Sequence, residues 1–254
     1  MRGSASTWVF NAVRLAALAL APDRAVDGRY VVRGAELPAA DDPARLAIIK
    51  THETDDDAAA RLGRSARAIW LSIRDPRDCI ASLMQYHDAT FEAALQALEQ
   101  DCRISARFRA HPRAHVLRYE LGFFAARTTL DRIAGSLGGR LAAADRERIF
   151  IELSRPAVEA FIAGLETLPT AVRPSPGNLV DTVTQWHNHH ANRTGESGRW
   201  RRVLSAAQAA SVARQLGGWI AEFGYPAGMA VQPGMAAEGV AAEGAAAEAA
   251  SGAG

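Results

Sequence analysis

Three short runs of apolar residues stand out against longer stretches in which apolar positions recur every three or four residues. The runs are RLAIIK (45–50), ARAIWLSI (66–73) and AHVLRY (114–119). Their length and their β-branched and aromatic content predict buried strands. RDCIASLMQYH, LGFFAARTTLDRIAGSL and DRERIFIEL carry helical spacing, and further helices are expected over 156–168 and 205–222. Strand followed by helix, repeated, predicts a parallel sheet covered by helices on both faces.

The ends of the chain read differently. MRGSASTWVFNAVRLAALALAP has a basic start and an apolar run, as a secretory signal does, but Arg14 splits it and leaves seven uninterrupted apolar residues, Leu15 to Ala21. Val9, Val13, Ala16 and Ala17 share one face, which predicts an amphipathic helix packed on the sheet. After Pro226 the composition turns to Ala, Gly and Glu with almost no large apolar residues. Such a segment cannot bury enough surface to offset its ordering entropy, so residues 228–254 are expected to form a disordered tail behind a single domain over 1–227.

Composition narrows the function classes. With 254 residues, 48% hydrophobic and 22% charged, the chain can build one sizeable core. Its net charge of +1 supplies no global field for nucleic acid, so any anion site must be local. Cys79 and Cys102 have neither metal-ligand nor redox spacing, which fits packing residues in a reducing cytoplasm. No stretch reaches transmembrane length, and no membrane partner is expected.

Ligands of open parallel sheets bind beyond the carboxyl ends of the strands. Three polar segments fall there, and a further one, KTHET, is a strand end that turns polar. RGSASTW (2–8) leads into a helix and can offer backbone N–H groups and hydroxyls to an anion, or simply cap the helix. KTHET (50–54) ends a strand with Lys50 and His52, a catalytic pair or an ordinary polar strand end. RDPRDCIAS (74–82) places Arg74 at a strand end and Ser82 about two helical turns on, which suits a phosphate; Arg74 could instead pair with Asp75 or Asp78. NRTGESGRWRR (192–202) combines glycines with arginines, as a phosphate-clamping loop or a solvated connector would. WHNHH (186–190) has no cysteine partner at zinc spacing, so no metal is expected.

In this order the segments resemble the sulfotransferases that use 3′-phosphoadenosine 5′-phosphosulfate (PAPS), over nearly the whole span from residue 2 to about 204. GSASTW (3–8) is similar to the family's phosphosulfate loop, KTHET to its lysine and general-base segment, and RDPRDCIAS to its 3′-phosphate segment. YEL (119–121) and RTGESGRWR (193–201) resemble its later strand end and loop. The resemblance implies an α/β fold of the P-loop nucleotide-kinase-like type, with a parallel sheet flanked by helices. It implies catalysis by His52 and Lys50, and PAPS binding by Arg2, Ser4, Ala5, Ser6, Thr7, Trp8, Arg74, Ser82, Tyr119, Arg193 and Gly195. PAPS would be the sulfuryl donor to a small-molecule or glycan-like acceptor, with no metal and no nucleic acid. Trp8 and Tyr119 suit either neighbours of the adenine or core aromatics.

The departures carry their own expectations. Gly3 stands where the family has a basic loop residue, with Arg2 one position away; Ala5 stands for a loop glycine and Thr194 for a second basic residue. The sequence opens at the loop itself: either the true start lies upstream, or the sheet lacks the strand that precedes the loop in the family. The alternative function is a catalytically inactive nucleotide-binding or interaction protein on the same scaffold. A P-loop kinase is disfavoured, since residues 2–8 lack the Gly-Lys-Ser/Thr ending.

Overall fold

A computed structural model describes residues 1–39, 42, 44–86, 88–175, 177–190 and 195–226. Arg193 and the tail from residue 228 lie outside the described residues. The elements run α1 (Ser6–Leu20), β1 (Ala25–Tyr30), β2 (Arg45–Lys50), α2 (Asp56–Ser65), β3 (Ile69–Ile73), α3 (Pro76–Tyr86) and α4 (Phe91–Arg109). They continue with β4 (Ala114–Arg118), α5 (Arg127–Ser136), α6 (Ala143–Glu152), α7 (Arg155–Ala163), β5 (Ala171–Ser175), β6 (Asn178–Asp181), α8 (Trp200–Val203) and α9 (Ala206–Glu222).

The three expected strands are β2, β3 and β4, each in a parallel pair; α3 and α4 separate β3 from β4, whereas a 3₁₀ turn, Gly34–Glu36, is the element described between β1 and β2. β1 pairs with β2 in register Tyr30 to Lys50, and β3 pairs with β4 in register Ile73 to Arg118. The expectation of one parallel sheet needs correction: among the described residues no ladder joins β2 to β3, and β5 and β6 form a separate antiparallel pair. α1 packs on β1, β2 and β3 and so spans the interruption. That position explains why its burial exceeds a single face. Trp8, Val9, Phe10, Ala12, Val13, Leu15, Ala16 and Ala17 are all buried, as expected for a helix covered nearly all round.

β1 lacks the apolar pattern of the other parallel strands because Asp27, Gly28 and Arg29 interrupt it. Gly28 is required by packing: a Cβ there would stand 2.8 Å from Cζ of Phe10 on α1. The helix expected over LGFFAARTTLDRIAGSL is broken into two 3₁₀ turns, Tyr119–Leu121 and Phe123–Ala125, before α5 begins. Gly122, at φ +63°, sits between the turns in the left-handed region.

Two apolar clusters hold the layers together. One joins α1, α5 and α6 to β2 and β4 through Phe10, Ile48, Leu117, Leu130, Ile133 and Ile149. The other joins α3, α4, α8 and α9 through Ile80, Leu98, Trp200, Val212, Leu216 and Trp219. Helix starts are set locally: Asp55 accepts from Ala58 N–H, Thr90 from Ala93 N–H, and Ser205 with Gln208 closes a reciprocal cap on α9. α1 has no side-chain cap, so its first-turn N–H groups lack a side-chain acceptor of that kind.

Candidate functional site

The carboxyl end of β2 delivers Lys50 and His52 to the start of α1. Lys50 Nζ donates to Thr7 Oγ1 at 2.7 Å, and the side chain is buried. No carboxylate lies within ion-pair distance of it among the described residues. Burial brings its pKa down from 10.5 to about 7, because a buried ammonium without a counter-charge is costly. His52 Nε2 lies 3.4 Å from Ser6 Oγ. Burial, followed by the positive charges gathered around the ring, including Lys50 and Arg2, holds His52 well below the usual imidazole range. The ring is therefore neutral at neutral pH, the form a general base requires.

Behind the imidazole sits a carboxylate that the strand pattern did not reveal. Asp101 on α4 accepts Arg2 backbone N–H at 2.5 Å and Arg2 Nη1 at 2.7 Å, and its Oδ1 lies 4.0 Å from His52 Nδ1. A sequence signal for it exists. Leu98, Asp101, Cys102 and Ser105 fall at helical spacing on the buried face of α4, and Asp101 is the charged residue among them.

Arg74, at the end of β3, links the polar loops. Its guanidinium donates to Gly3 O at 3.1 Å and Glu196 O at 2.6 Å, and stacks 4.3 Å from the Tyr119 ring centroid. Arg74 Nε is buried with no hydrogen-bond partner. Asp78, one turn on, accepts from Gly198 N–H at 2.6 Å and Trp200 N–H at 2.9 Å, which fastens the glycine-rich loop to α3. Gly195 closes the same corner at φ +71°, and a Cβ there would stand 2.6 Å from Tyr119 Oη. Glu120 accepts Asp75 N–H at 2.8 Å and the Tyr225 hydroxyl at 3.0 Å, tying the end of β4 to the start of α3.

The sequence candidates thus separate into groups. Ser6, Thr7, Lys50 and His52 converge at the start of α1, and Arg2 meets Asp101 beside them. Arg74, Tyr119 and Gly195 form a second corner, with Ser82 buried on α3 two turns beyond Arg74. Ser4 is turned inward: its hydroxyl lies 2.9 Å from both Ser72 O and Ser72 Oγ. Trp8 packs edge-on to Phe123 and donates Nε1–H to Leu153 O at 3.1 Å, in the core. Ala5 stands at φ 60°, in the left-handed region that favours glycine. Beyond Glu53 a cavity of about 400 Å³ is lined by Val32, Asp55, Gln100, Arg103, Ile104 and Arg107, among others.

No protein-family model matches the chain, and no curated protein matches it by sequence. Solved structures do. Mouse sulfotransferase SULT7A1 complexed with PAP aligns with a TM-score of 0.57 at 14% identity, over 87% of this chain and 81% of that one. The fold is sulfotransferase-like. Retinol dehydratase matches in complex with androsterone and inactive cofactor PAP (TM-score 0.49, 18% identity) and with retinol and PAP (TM-score 0.46, 17% identity). Each of these matches covers 73% of this chain and 55% of the retinol dehydratase chain, so this chain spans just over half that length. On the sulfotransferase-like fold described here, both polar corners lie at the carboxyl ends of parallel strands, where α/β sheets bind ligands. Among the described residues no helix is long and apolar enough to cross a membrane.

Proposed function

We propose that this chain is a PAPS-dependent sulfotransferase, moving a sulfuryl group from 3′-phosphoadenosine 5′-phosphosulfate to a hydroxyl or amine of a small-molecule or glycan-like acceptor. One observation carries the reading. Lys50 is a buried amine that donates to a hydroxyl and, among the described residues, to no carboxylate, set at an uncapped helix start and 43 residues along the chain from that hydroxyl. An anion at that point would supply the missing counter-charge and meet the positive end of α1.

Each group then has a task. Lys50, Thr7, Ser6 and the first-turn N–H groups of α1 would hold the phosphosulfate, with Arg2 at its margin. Arg74, Ser82 and Arg193 would hold the 3′-phosphate, and the unpartnered Arg74 Nε is a donor suited to it. Tyr119 and Gly195 shape that corner. The donor supplies an activated sulfuryl group. His52 Nε2 accepts the proton of the attacking acceptor, and Lys50 offsets the negative charge that grows on the transferring and leaving oxygens. Positioning and fixed charge do most of this chemistry, as in phosphoryl transfer. The two free, buried cysteines suit a reducing cytoplasm.

The test is turnover of PAPS with a panel of phenol, amine and sugar acceptors, alongside calorimetry with adenosine 3′,5′-bisphosphate. Bisphosphate binding without turnover of any acceptor would favour the inactive nucleotide-binding reading. Neither binding nor turnover would overturn both.

A further inference from the structure

The Asp101 carboxylate has no role in the chemistry above, yet it is buried directly behind the base. Burial pushes the Asp101 carboxyl above its usual range, but its two oxygens take N–H donors from Arg2, and those bonds favour the ionised form. On the other side, His52 Nδ1 is buried with no hydrogen-bond partner, and Asp101 Oδ1 lies 4.0 Å from it. A buried ring nitrogen left without a partner is costly in either tautomer. Contraction of the pair by about 1 Å would bring it to ordinary hydrogen-bond length.

We propose that Asp101 is the positioning residue for His52: it takes the Nδ1–H, fixes that tautomer, and turns the Nε2 lone pair toward Ser6 and the acceptor. The inference rests on the sulfotransferase reading for its kinetic consequence but not for its structural one. A buried carboxylate aimed at one ring nitrogen dictates which nitrogen is free to accept a proton. The imidazolium formed when His52 takes the acceptor proton is then stabilised by the same charge. The proton ends on Nε2, no bond to Asp101 is made or broken, and Asp101 stays ionised. The other groups near the ring do not substitute for it. The Met1 ammonium, Lys50 from β2 and Arg2 from the N-terminal loop are cations, Tyr30 from β1 lies with its ring centroid 6.1 Å away, and Glu53 pairs with Arg2 at 3.9 Å. His187, after β6, adds a like-signed charge when protonated.

Nitrogen-15 NMR of the histidine side chains reads the tautomer without any activity. The parent protein at neutral pH should show His52 as the Nδ1–H form, and the Asp101→Asn variant should lose that preference. In turnover, Asp101→Asn should lower kcat about 10-fold to 10²-fold, with little change in the donor KM. The acid limb of its kcat/KM profile should move to lower pH, because removal of the negative charge makes the imidazole harder to protonate. An Nε2–H tautomer in the parent would overturn the proposal and requires no variant, so a poorly folding Asp101→Asn does not shield it. Unchanged tautomer and unchanged kcat in a folded Asp101→Asn would overturn it equally. Failure of the base assignment itself shows elsewhere, as full activity in His52→Ala, with the tautomer result untouched.

Discussion

Lys50 Nζ and Thr7 Oγ1 meet at 2.7 Å, at a place where the end of a parallel strand touches the start of a helix. The bond joins a cation to a hydroxyl, and no carboxylate completes it among the described residues. On the proposed reading an anion completes the site, and its affinity then depends on the protonation of one lysine.

With its pKa near 7 in the free protein, Lys50 loses its proton as pH rises through neutrality. Affinity for adenosine 3′,5′-bisphosphate or for PAPS should fall as pH rises above about 7. Binding at pH 8 should take up protons, because the anion favours the charged form. Calorimetry in two buffers of different ionisation enthalpy measures this directly. Identical apparent enthalpies in both would show that Lys50 does not change protonation on binding.

The same lysine costs stability. Its folded pKa of about 7 lies below the 10.5 of an exposed lysine. Between those values the unfolded chain holds a proton that the folded chain has lost, so stability climbs as pH rises across that window. Below pH 7 both forms are charged and the full burial cost is present. Lys50→Met should therefore raise Tm at pH 6, by roughly 2–4 °C per kcal/mol recovered, and flatten the dependence of Tm on pH from 7 to 10. A lower Tm at pH 6 would mean that Lys50 has a counter-charge in solution.

His52→Ala should cut sulfuryl transfer about 10²–10⁴-fold while leaving affinity for the bisphosphate product nearly intact. Because burial holds the imidazole neutral well below its usual range, the parent kcat at saturating PAPS, where the bound anion keeps Lys50 charged, should show no loss as pH falls to about 6.5. A steep loss between pH 7.5 and 6.5 would contradict that environment for the base.

Arg74 ties Gly3 to Glu196 through its two terminal nitrogens, lies 3.9 Å from the Asp78 carboxylate, and has a buried Nε with no hydrogen-bond partner. The protein should bind adenosine 3′,5′-bisphosphate more tightly than 5′-AMP, and Arg74→Ala should lose most of that preference. Thermal melts of the variant separate loss of the loop ties from loss of a phosphate contact. Equal affinity for the two nucleotides in the parent would refute a 3′-phosphate corner.

Ala5 occupies the left-handed region at φ 60°, which an L-residue enters at a cost of about 1–2 kcal/mol. Glycine accepts that conformation but loses more freedom on folding, so Ala5→Gly should stabilise the protein by about 0.5–1 kcal/mol net. Urea denaturation midpoints at constant slope give the comparison. A destabilised Ala5→Gly would show that the methyl group's contact with the α1 cluster outweighs the backbone strain.

Much of the fold was legible from spacing alone. β2, β3 and β4 announced themselves as short apolar runs, and α3, α6 and α9 by helical period, because buried strands and helices must hide apolar side chains at fixed intervals. The polar segments after β2 and β3 were legible for a related reason, since polar residues directly after a buried strand mark its exit toward the sheet edge. β1 was not, because its contribution is a backbone ladder and a glycine that admits Phe10, neither of which leaves an apolar pattern. Three matters were decided only in three dimensions. The interruption between β2 and β3 depends on which backbones pair; the inward turn of Ser4 and Trp8 depends on which side of a helix start meets the core. The approach of Asp101 to His52 joins residues 49 positions apart, on a helix and beyond a strand end, and residue spacing along the chain carries no information about a distance of that kind.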